Sequence, residues 1–194
     1  MKLILASASP RRKELLASLD LAFTVDAQTS FVENIPEGMS VEEIPRYLSE
    51  GKSSGFHRPL EADELLITAD TLVFLGDEAQ GKPHDREDAL RMLRELSGRE
   101  HRVITGVTLR SLRSQESFID ITRVRFAPLD EQDIAYYVDR YRPYDKAGAY
   151  GIQEWIGSAA IEGIDGSYHN VMGLPTEKLF QALKRSGVVC TGGK

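Results

Sequence analysis

Apolar residues along this chain fall into two patterns, short continuous runs and stripes with helical spacing. Continuous or alternating runs of β-favouring residues are typical of strands, whereas apolar residues three and four positions apart are typical of amphipathic helices. The runs predict strands over Lys2–Ala6, Phe23–Val25, Leu65–Gly76, Arg102–Leu109, Ser117–Phe126 and Ser158–Ile164. The stripes and their caps predict helices over Pro10 to about Leu19, Ser40 to about Lys52, Asp85–Ser97, Asp130–Tyr141 and Thr176 to about Lys184. Because no repeat, low-complexity tract or linker interrupts this order, the sequence predicts one domain over residues 1–194.

The longest predicted strand carries a carboxylate at its middle. Asp70 interrupts an otherwise nearly continuous apolar run from Leu65 to Leu75. An ionised carboxylate in a buried strand is costly to desolvate unless a cation, a metal or several donors meet it there. Two interpretations stay open, a carboxylate satisfied by backbone amides or an active-site group whose partner lies elsewhere in the chain.

The first predicted helix begins with three cations. Ser9 is a natural N-cap and Pro10 a natural first residue, but Arg11, Arg12 and Lys13 then lie at the positive end of the helix dipole. Free amides and guanidinium groups at a strand-to-helix turn together suit a phosphate. The alternative is a solvated, charged first turn.

Two later segments carry further candidate features. Gly81-Lys82-Pro83 follows the long strand, and Lys82 is placed so that its ammonium could reach the Asp70 end of the sheet, although a lone loop lysine is usually solvated. The glycine-rich segment Asp145–Gly157 allows close approach by a backbone or a ligand. Neither of the phosphate-binding motifs GxxxxGK[ST] and GxGxxG occurs.

The four histidines, His57, His84, His101 and His169, form no metal-binding motif and are interpreted as surface or loop residues.

Composition narrows the function classes. A net charge of -6 argues against general affinity for nucleic acid, so any anion site must be local. Cys190 is the only cysteine, which excludes a disulfide framework and a thiolate metal cluster and fits a reducing compartment. The N-terminus is too short and polar for a signal peptide, and no apolar run approaches the roughly 18 residues that span a membrane. We therefore expect a cytoplasmic protein with no membrane partner.

The order of these segments resembles a known family. LASASPRRKELL, Glu33, Lys52, ITADT, GKP, SGREHRVITGV, DKAGAYGIQ and YHNVMGLP follow one another across nearly the whole chain. In this the chain resembles the Maf family of nucleoside triphosphate pyrophosphatases, and within it the dTTP/UTP branch, which is marked by SPRR, ADT and KAGAYGIQ. One departure is Tyr141-Arg142-Pro143, where relatives often have Gly-Glu-Pro, so a carboxylate at position 142 is missing.

The resemblance implies a fold and a reaction. The fold is α/β, with a mixed, twisted sheet in two lobes and a substrate cleft between them, as in Maf and ITPase-like proteins. The reaction is hydrolysis of a nucleoside triphosphate to the monophosphate and pyrophosphate with a divalent cation, Mg²⁺, Mn²⁺ or Co²⁺. The resemblance also implies a homodimer.

The resemblance assigns roles residue by residue. Asp70 matches the family's catalytic carboxylate, and Ser7, Glu33, Lys52 and Lys82 match polar residues of its cleft. The chemistry leaves Asp70 as general base or metal ligand, and a metal would be shared by Asp70, Glu33 and phosphate oxygens. Arg12, Thr71 and Gln153 match the positions that set substrate specificity. The remaining polar residues would contact the phosphates, and they are Ser7, Arg11, Lys13, Lys52 and Lys82.

Alternatives remain for the function. A nucleotide-binding regulator of cell division, which inhibits septum formation with little turnover, would need the same nucleotide site but not the carboxylates. An activity directed at modified pyrimidine nucleotides is a second alternative. The sequence does not rank dTTP, UTP and such analogues.

Overall fold

The computed structural model describes residues 1–188, so Cys190 lies outside the described residues. Seven strands lie in this part of the chain: β1 (Lys2–Leu5), β2 (Phe23–Val25), β3 (Glu64–Leu75), β4 (Glu78–Gln80), β5 (Glu100–Arg110), β6 (Gln115–Phe126) and β7 (Ile161–Asp165). Seven α-helices accompany them there: α1 (Pro10–Ala17), α2 (Glu43–Ser54), α3 (Arg86–Leu96), α4 (Glu131–Tyr141), α5 (Trp155–Ala160), α6 (Tyr168–Met172) and α7 (Thr176–Arg185). A single 3₁₀ turn over Ala147–Ala149 completes the described elements.

The strands of the described residues form one mixed sheet. Their order is β2-β1-β3-β5-β6-β7, and β4 pairs with β3. β1 runs parallel to β2 and to β3, which place Val25 and Ile67 opposite Leu5. β4 runs antiparallel to β3, and β7 runs antiparallel to β6. Parallel neighbours need crossover connections, which α1 and α2 provide. The mixed α/β sheet implied by the family resemblance is therefore confirmed.

The described residues divide into two compact units. Unit 1 contains Met1–Asp70, Thr105–Asp120 and the described residues from Gly173 onward, and unit 2 contains Thr71–Ile104 and Ile121–Met172. The division falls within β3, β5 and β6, so each of these strands contributes residues to both units. In unit 1, one apolar cluster is formed by Ile4, Phe56, Leu60 and Leu66. In unit 2, α3 and α4 pack their apolar faces into a core that includes Leu93, Phe126 and Tyr137.

Several helix starts are those that the sequence predicts. Ser9 accepts a hydrogen bond from the backbone of Arg12 at 3.4 Å and caps α1. Asp85 and Asp130 cap α3 and α4 in the same way, accepting from backbone amides three residues ahead at 2.9 and 2.8 Å. These caps satisfy amides that have no partner inside the helix.

The prediction for the start of α2 is wrong in detail. Ser40 and Glu43 have capping-box spacing, but the helix begins at Glu43, and Glu42 occupies the cap position without a side-chain cap bond. The Ser40 hydroxyl instead donates to the Glu43 carboxylate at 2.6 Å. The two residues therefore bond each other through their side chains, although Glu43 is already the first residue of the helix.

The prediction for residues 158–164 is also partly wrong. α5 occupies Trp155–Ala160, and the strand begins only at Ile161. β4 and α6, of three and five residues, were not predicted. A strand of three residues and a helix of little more than one turn are too short to show a periodic pattern of apolar residues.

His101 is not the surface or loop residue that the sequence suggests. It lies in β5 with 1% of its surface exposed, and its Nε2 is 2.7 Å from the Tyr150 hydroxyl. Its ring packs edge-on against Phe126 and Tyr150. A histidine at a strand start among polar neighbours gives no sequence signal of this burial.

Among residues 1–188, no helix has both the length and the apolar character needed to cross a membrane.

Candidate active site

Asp70, the last residue of unit 1 in β3, is paired with a lysine. The carboxylate is buried, with 8% of the residue exposed, and its Oδ1 accepts a short hydrogen bond from Lys52 Nζ. The same ammonium lies 2.8 Å from Oε1 of Glu33, which is exposed. A charge pair offsets the desolvation of a buried carboxylate. The partner that this burial requires is therefore a side chain from elsewhere in the chain, Lys52.

The register between α2 and β3 explains this pairing. The Thr68 hydroxyl donates to the Ser49 carbonyl at 2.7 Å, which fixes α2 against the strand. Side chains two residues apart share a strand face, and side chains three residues apart share a helix face. Asp70 therefore follows Thr68 on β3 as Lys52 follows Ser49 on α2, and the two side chains meet.

The loop that carries Glu33 is fixed on α2 by an aromatic contact. The Phe31 ring lies so close to Gly51 that a Cβ there would be 2.3 Å from it. The Tyr47 hydroxyl donates to the Asn34 carbonyl at 3.1 Å, on the other side of Glu33. These two contacts hold the loop where Glu33 reaches Lys52.

Arg12 lies at the start of α1 and has three polar neighbours in unit 1. Its Nε donates to the Gly173 carbonyl at 2.8 Å, and one terminal nitrogen contacts Ser7 Oγ at 3.4 Å. Removal from water lowers the pKa of the Arg12 guanidinium, and the negative charge of Asp70 opposes that shift. The group stays cationic at neutral pH because an arginine pKa starts well above that range. Arg11 is partly exposed and Lys13 is exposed in the same turn, where no acidic residue occurs.

The residues around Asp70 suit a metal that is bound mostly by its substrate. Glu33 and Asp70 direct two carboxylate oxygens at one position, which Lys52 Nζ takes. In the part of the chain that the structure describes, no group of three or more His, Cys, Asp or Glu could hold a metal ion. Mg²⁺ is often held by one or two carboxylates together with phosphate oxygens and water. Two hard oxygen donors therefore fit a cation that arrives with a triphosphate.

The remaining predicted residues lie in unit 2. Thr71 follows Asp70 in β3 and is partly exposed, Lys82 is exposed after β4, and Gln153 is exposed before α5. The Gly81 carbonyl next to Lys82 accepts from the Gly148 amide at 3.0 Å, so its segment is tied to the glycine-rich one.

The glycine-rich segment has an unusual backbone. Gly148 has a φ of 67° and Ala149, which is buried, has a φ of 57°. A non-glycine residue in this region is uncommon. A Cβ at Gly148 would also lie 3.1 Å from both methyl groups of Val73. Close packing against β3 thus explains the glycine at position 148.

Sequence reasoning missed several residues that build these arrangements. Gly173, which orients Arg12, lies in the quoted segment YHNVMGLP, but a backbone carbonyl gives no sequence signal. Tyr137, Lys146 and Glu154 form a polar network in unit 2. Lys146 and Glu154 could have been noticed as charges at the two ends of a segment of small and apolar residues.

The chain is similar in sequence to known proteins, and a solved structure aligns with it over most of its length. The model of the family described as Maf-like protein matches residues 2–186. A protein of Bacteroides fragilis named dTTP/UTP pyrophosphatase is 50% identical over 184 residues, 95% of each chain. A protein of Phocaeicola vulgatus with the same name is 49% identical over 184 residues, again 95% of each chain. Among solved structures, a HAM1 protein from Coxiella burnetii has a TM-score of 0.49 and 14% identity, covering 95% of this chain and 99% of that chain.

Proposed function

The chain belongs to the Maf family, and from this premise we propose that it is a nucleoside triphosphate pyrophosphatase acting on dTTP and UTP. The reaction is hydrolysis of the α,β-phosphoanhydride to the nucleoside monophosphate and pyrophosphate. Relatives about half identical over nearly their whole length are named for these two substrates. The observation that carries the proposal is the buried Asp70 carboxylate, paired with Lys52 and under the influence of the Arg12 charge.

Asp70 is the group that we assign to the attacking water. A carboxylate within hydrogen-bond reach of a water orients it and accepts its proton as the water attacks phosphorus. Lys52 contacts Asp70 and Glu33. When substrate binds, its ammonium, a compact point charge, also contacts the phosphate oxygens or moves from the carboxylates to them. Arg11, Arg12 and Lys13, with the Ser7 hydroxyl and with Lys82, neutralise the triphosphate and the leaving pyrophosphate.

Glu33 and Asp70 are the residues that would hold a divalent cation. Bound there, the cation would stabilise negative charge that develops on the phosphate oxygens. We expect activity to disappear in EDTA and to return with Mg²⁺, Mn²⁺ or Co²⁺. Glu33→Gln should raise the metal concentration for half-maximal rate about tenfold, whereas Glu37→Gln, an exposed residue of the same loop, should leave it unchanged.

Arg12, Thr71 and Gln153 are the residues that we assign to the nucleoside. Uracil and thymine present an N3–H donor beside the O4 acceptor, so the Gln153 amide can accept from one and donate to the other. A flipped amide would read cytosine, and discrimination therefore needs a neighbour that only donates, for which Arg12 is suited. The Thr71 hydroxyl would fix the pose. On the family resemblance we also propose a homodimer.

The decisive experiment measures kcat/KM for UTP, dTTP, CTP, GTP and 7-methyl-GTP by release of pyrophosphate with Mg²⁺ present. Wild type should prefer UTP and dTTP. Asp70→Asn, which keeps the shape but removes the charge, should fold normally and lose at least about a thousandfold in rate, or about 4 kcal/mol in the barrier.

Three results would contradict the proposal. Asp70→Asn activity within about tenfold of wild type would remove Asp70 from the chemistry. A purine or CTP as the best substrate would refute the pyrimidine assignment. Tight binding of UTP without release of pyrophosphate would favour a nucleotide-binding regulator instead.

A further inference from the structure

Gln153 lies in a tight turn in front of α5. The Glu154 amide donates to the Gly151 carbonyl at 3.0 Å, which closes a four-residue β-turn with Gln153 at its third position. Ile152, at the second position, is buried in the core of unit 2. One side of the turn is therefore anchored in the core, and the next residue, Gln153, is exposed.

Tyr137, from α4, joins the two ends of the same turn. Its hydroxyl accepts from the Gly151 amide at 2.9 Å and donates a short hydrogen bond to the Glu154 carboxylate. The ring is fully buried and stacks on Tyr141 with centroids 5.1 Å apart. Burial, helped by the Glu154 charge, raises the pKa of Tyr137, so the phenol keeps the proton that it donates.

Lys146 completes the network from the other end of the glycine-rich segment. Its Nζ lies 3.1 Å from Glu154 Oε1 and 2.8 Å from Asp145 Oδ1, and 8% of the residue is exposed. Each oxygen of Glu154 thus has its own donor, Lys146 or Tyr137. A carboxylate held by two donors from different elements has little rotational freedom.

Gly151 brings this network into contact with the Gln153 amide itself. A Cβ at Gly151 would lie 3.0 Å from Gln153 Nε2, from the Glu154 carboxyl carbon and from Lys146 Cε. The amide and the charge pair therefore pack on the same α-carbon. Only glycine leaves this space open.

We propose that Tyr137, Lys146 and Glu154 are positioning residues that fix the direction of the Gln153 amide and thereby set the preference for uracil and thymine over cytosine. This rests on the proposed function, in which Gln153 reads the base. An amide has a donor and an acceptor at nearly the same place, so its selectivity depends on which of them faces O4. The turn is closed twice, by its own backbone and by Tyr137, which fixes the backbone from which the amide projects before the substrate arrives.

Tyr137→Phe removes the hydroxyl and keeps the ring, and Tyr141→Phe is the matched control on the stacked partner. In Tyr137→Phe the ratio of kcat/KM for UTP to that for CTP should fall about tenfold, mainly through a higher KM for UTP. Tyr141→Phe should keep the wild-type ratio. A role in stability alone would lower the melting temperature of Tyr137→Phe without changing this ratio.

Three further variants address the same amide without removing Tyr137. Gly151→Ala should lower the UTP to CTP ratio because its methyl group displaces the Gln153 amide. Glu154→Ala should lower it also, and Glu154→Gln, which can still bond Tyr137, should restore part of it. An unchanged ratio in both Tyr137→Phe and Gly151→Ala would overturn the proposal.

Calorimetric binding of UTP and CTP, measured for the same variants, separates this proposal from the proposed function. If wild type hydrolyses neither nucleotide, the proposed reaction fails, and the binding ratio still tests the positioning role. A wild-type binding preference for UTP that Tyr137→Phe and Gly151→Ala both lose would support that role. Equal binding ratios in wild type and both variants would refute it.

Discussion

Asp70 and His101 are both buried titratable side chains on strands, and they differ in what surrounds them. Asp70 meets the Lys52 ammonium, which offsets the cost of its desolvation. His101 has an aromatic surrounding and one hydrogen bond, to Tyr150, and its Nδ1 has no hydrogen-bond partner among the described residues. Desolvation therefore lowers the pKa of His101 from its ordinary 6.5 to about 4.

This shift predicts a pH dependence of stability. Between pH 6.5 and about 4 the unfolded chain binds a proton at His101 that the folded chain does not, so the free energy of unfolding rises with pH in that window. The contribution is fully present above pH 6.5, and about 3 kcal/mol is lost as the pH falls to 4. Chemical denaturation at pH 4.5 to 7 should show this slope.

A matched pair of variants assigns the slope. His101→Gln removes the titrating group and keeps an amide near the Tyr150 hydroxyl, so the slope above pH 4.5 should flatten. His84→Gln, at an exposed position, should keep it. Glu64, whose pKa Arg58 lowers to about 2, loses most of its own contribution below its ordinary pKa of 4.5 and adds little to the slope between pH 4.5 and 7. An unchanged slope in His101→Gln would assign the effect to other groups.

At the scale of elements, the longer helices could be predicted from their caps and apolar stripes, whereas the short elements could not. α1, α3, α4 and α7 begin within a residue of their predicted starts because caps and apolar stripes are local properties of the sequence. The boundary between α5 and β7 carries no such cap or stripe. A Cβ at Gly157 would lie 1.7 Å from the Ile152 carbonyl oxygen, so the chain turns tightly there. The same holds for the site: the sequence predicts that Asp70 needs a partner, but the choice of Lys52 follows from the register of α2 on β3.

β5 approaches α2 through a glycine. A Cβ at Gly106 would lie 2.2 Å from the Pro45 carbonyl oxygen, and this backbone oxygen belongs to the helix that carries Lys52. Gly106→Ala must push strand and helix apart, so we expect it to lower the free energy of unfolding by about 3 kcal/mol. Because α2 moves, the rate of UTP hydrolysis should fall as well.

Gly81→Ala is the control for this substitution. A Cβ at Gly81 would meet nothing within 4 Å, so its free energy of unfolding should stay within about 0.5 kcal/mol of wild type. Urea denaturation of the two variants measures both effects. Equal stability of Gly106→Ala and wild type would mean that β5 and α2 are not in tight contact.

At the scale of the whole molecule, the predicted single domain concerns how the two units unfold. β3, β5 and β6 each contribute residues to both units, so neither unit can lose its strands without breaking strands that continue into the other. We propose that residues 1–194 fold as one cooperative domain. Because they share these strands, the two units should unfold together in a single transition.

Trp155, the only tryptophan, makes this testable because it lies in unit 2, where its ring contacts Tyr136 with centroids 5.1 Å apart. Tryptophan fluorescence therefore reports unit 2, whereas far-ultraviolet circular dichroism reports the helices and strands of both units. In urea the two signals should give the same midpoint, within about 0.2 M, and the same slope. Gly106→Ala, whose strain lies in unit 1, should shift the fluorescence midpoint as far as the dichroism midpoint. If the fluorescence midpoint stayed at its wild-type value while the dichroism transition split in two, the units would unfold separately and the single-domain prediction would be wrong.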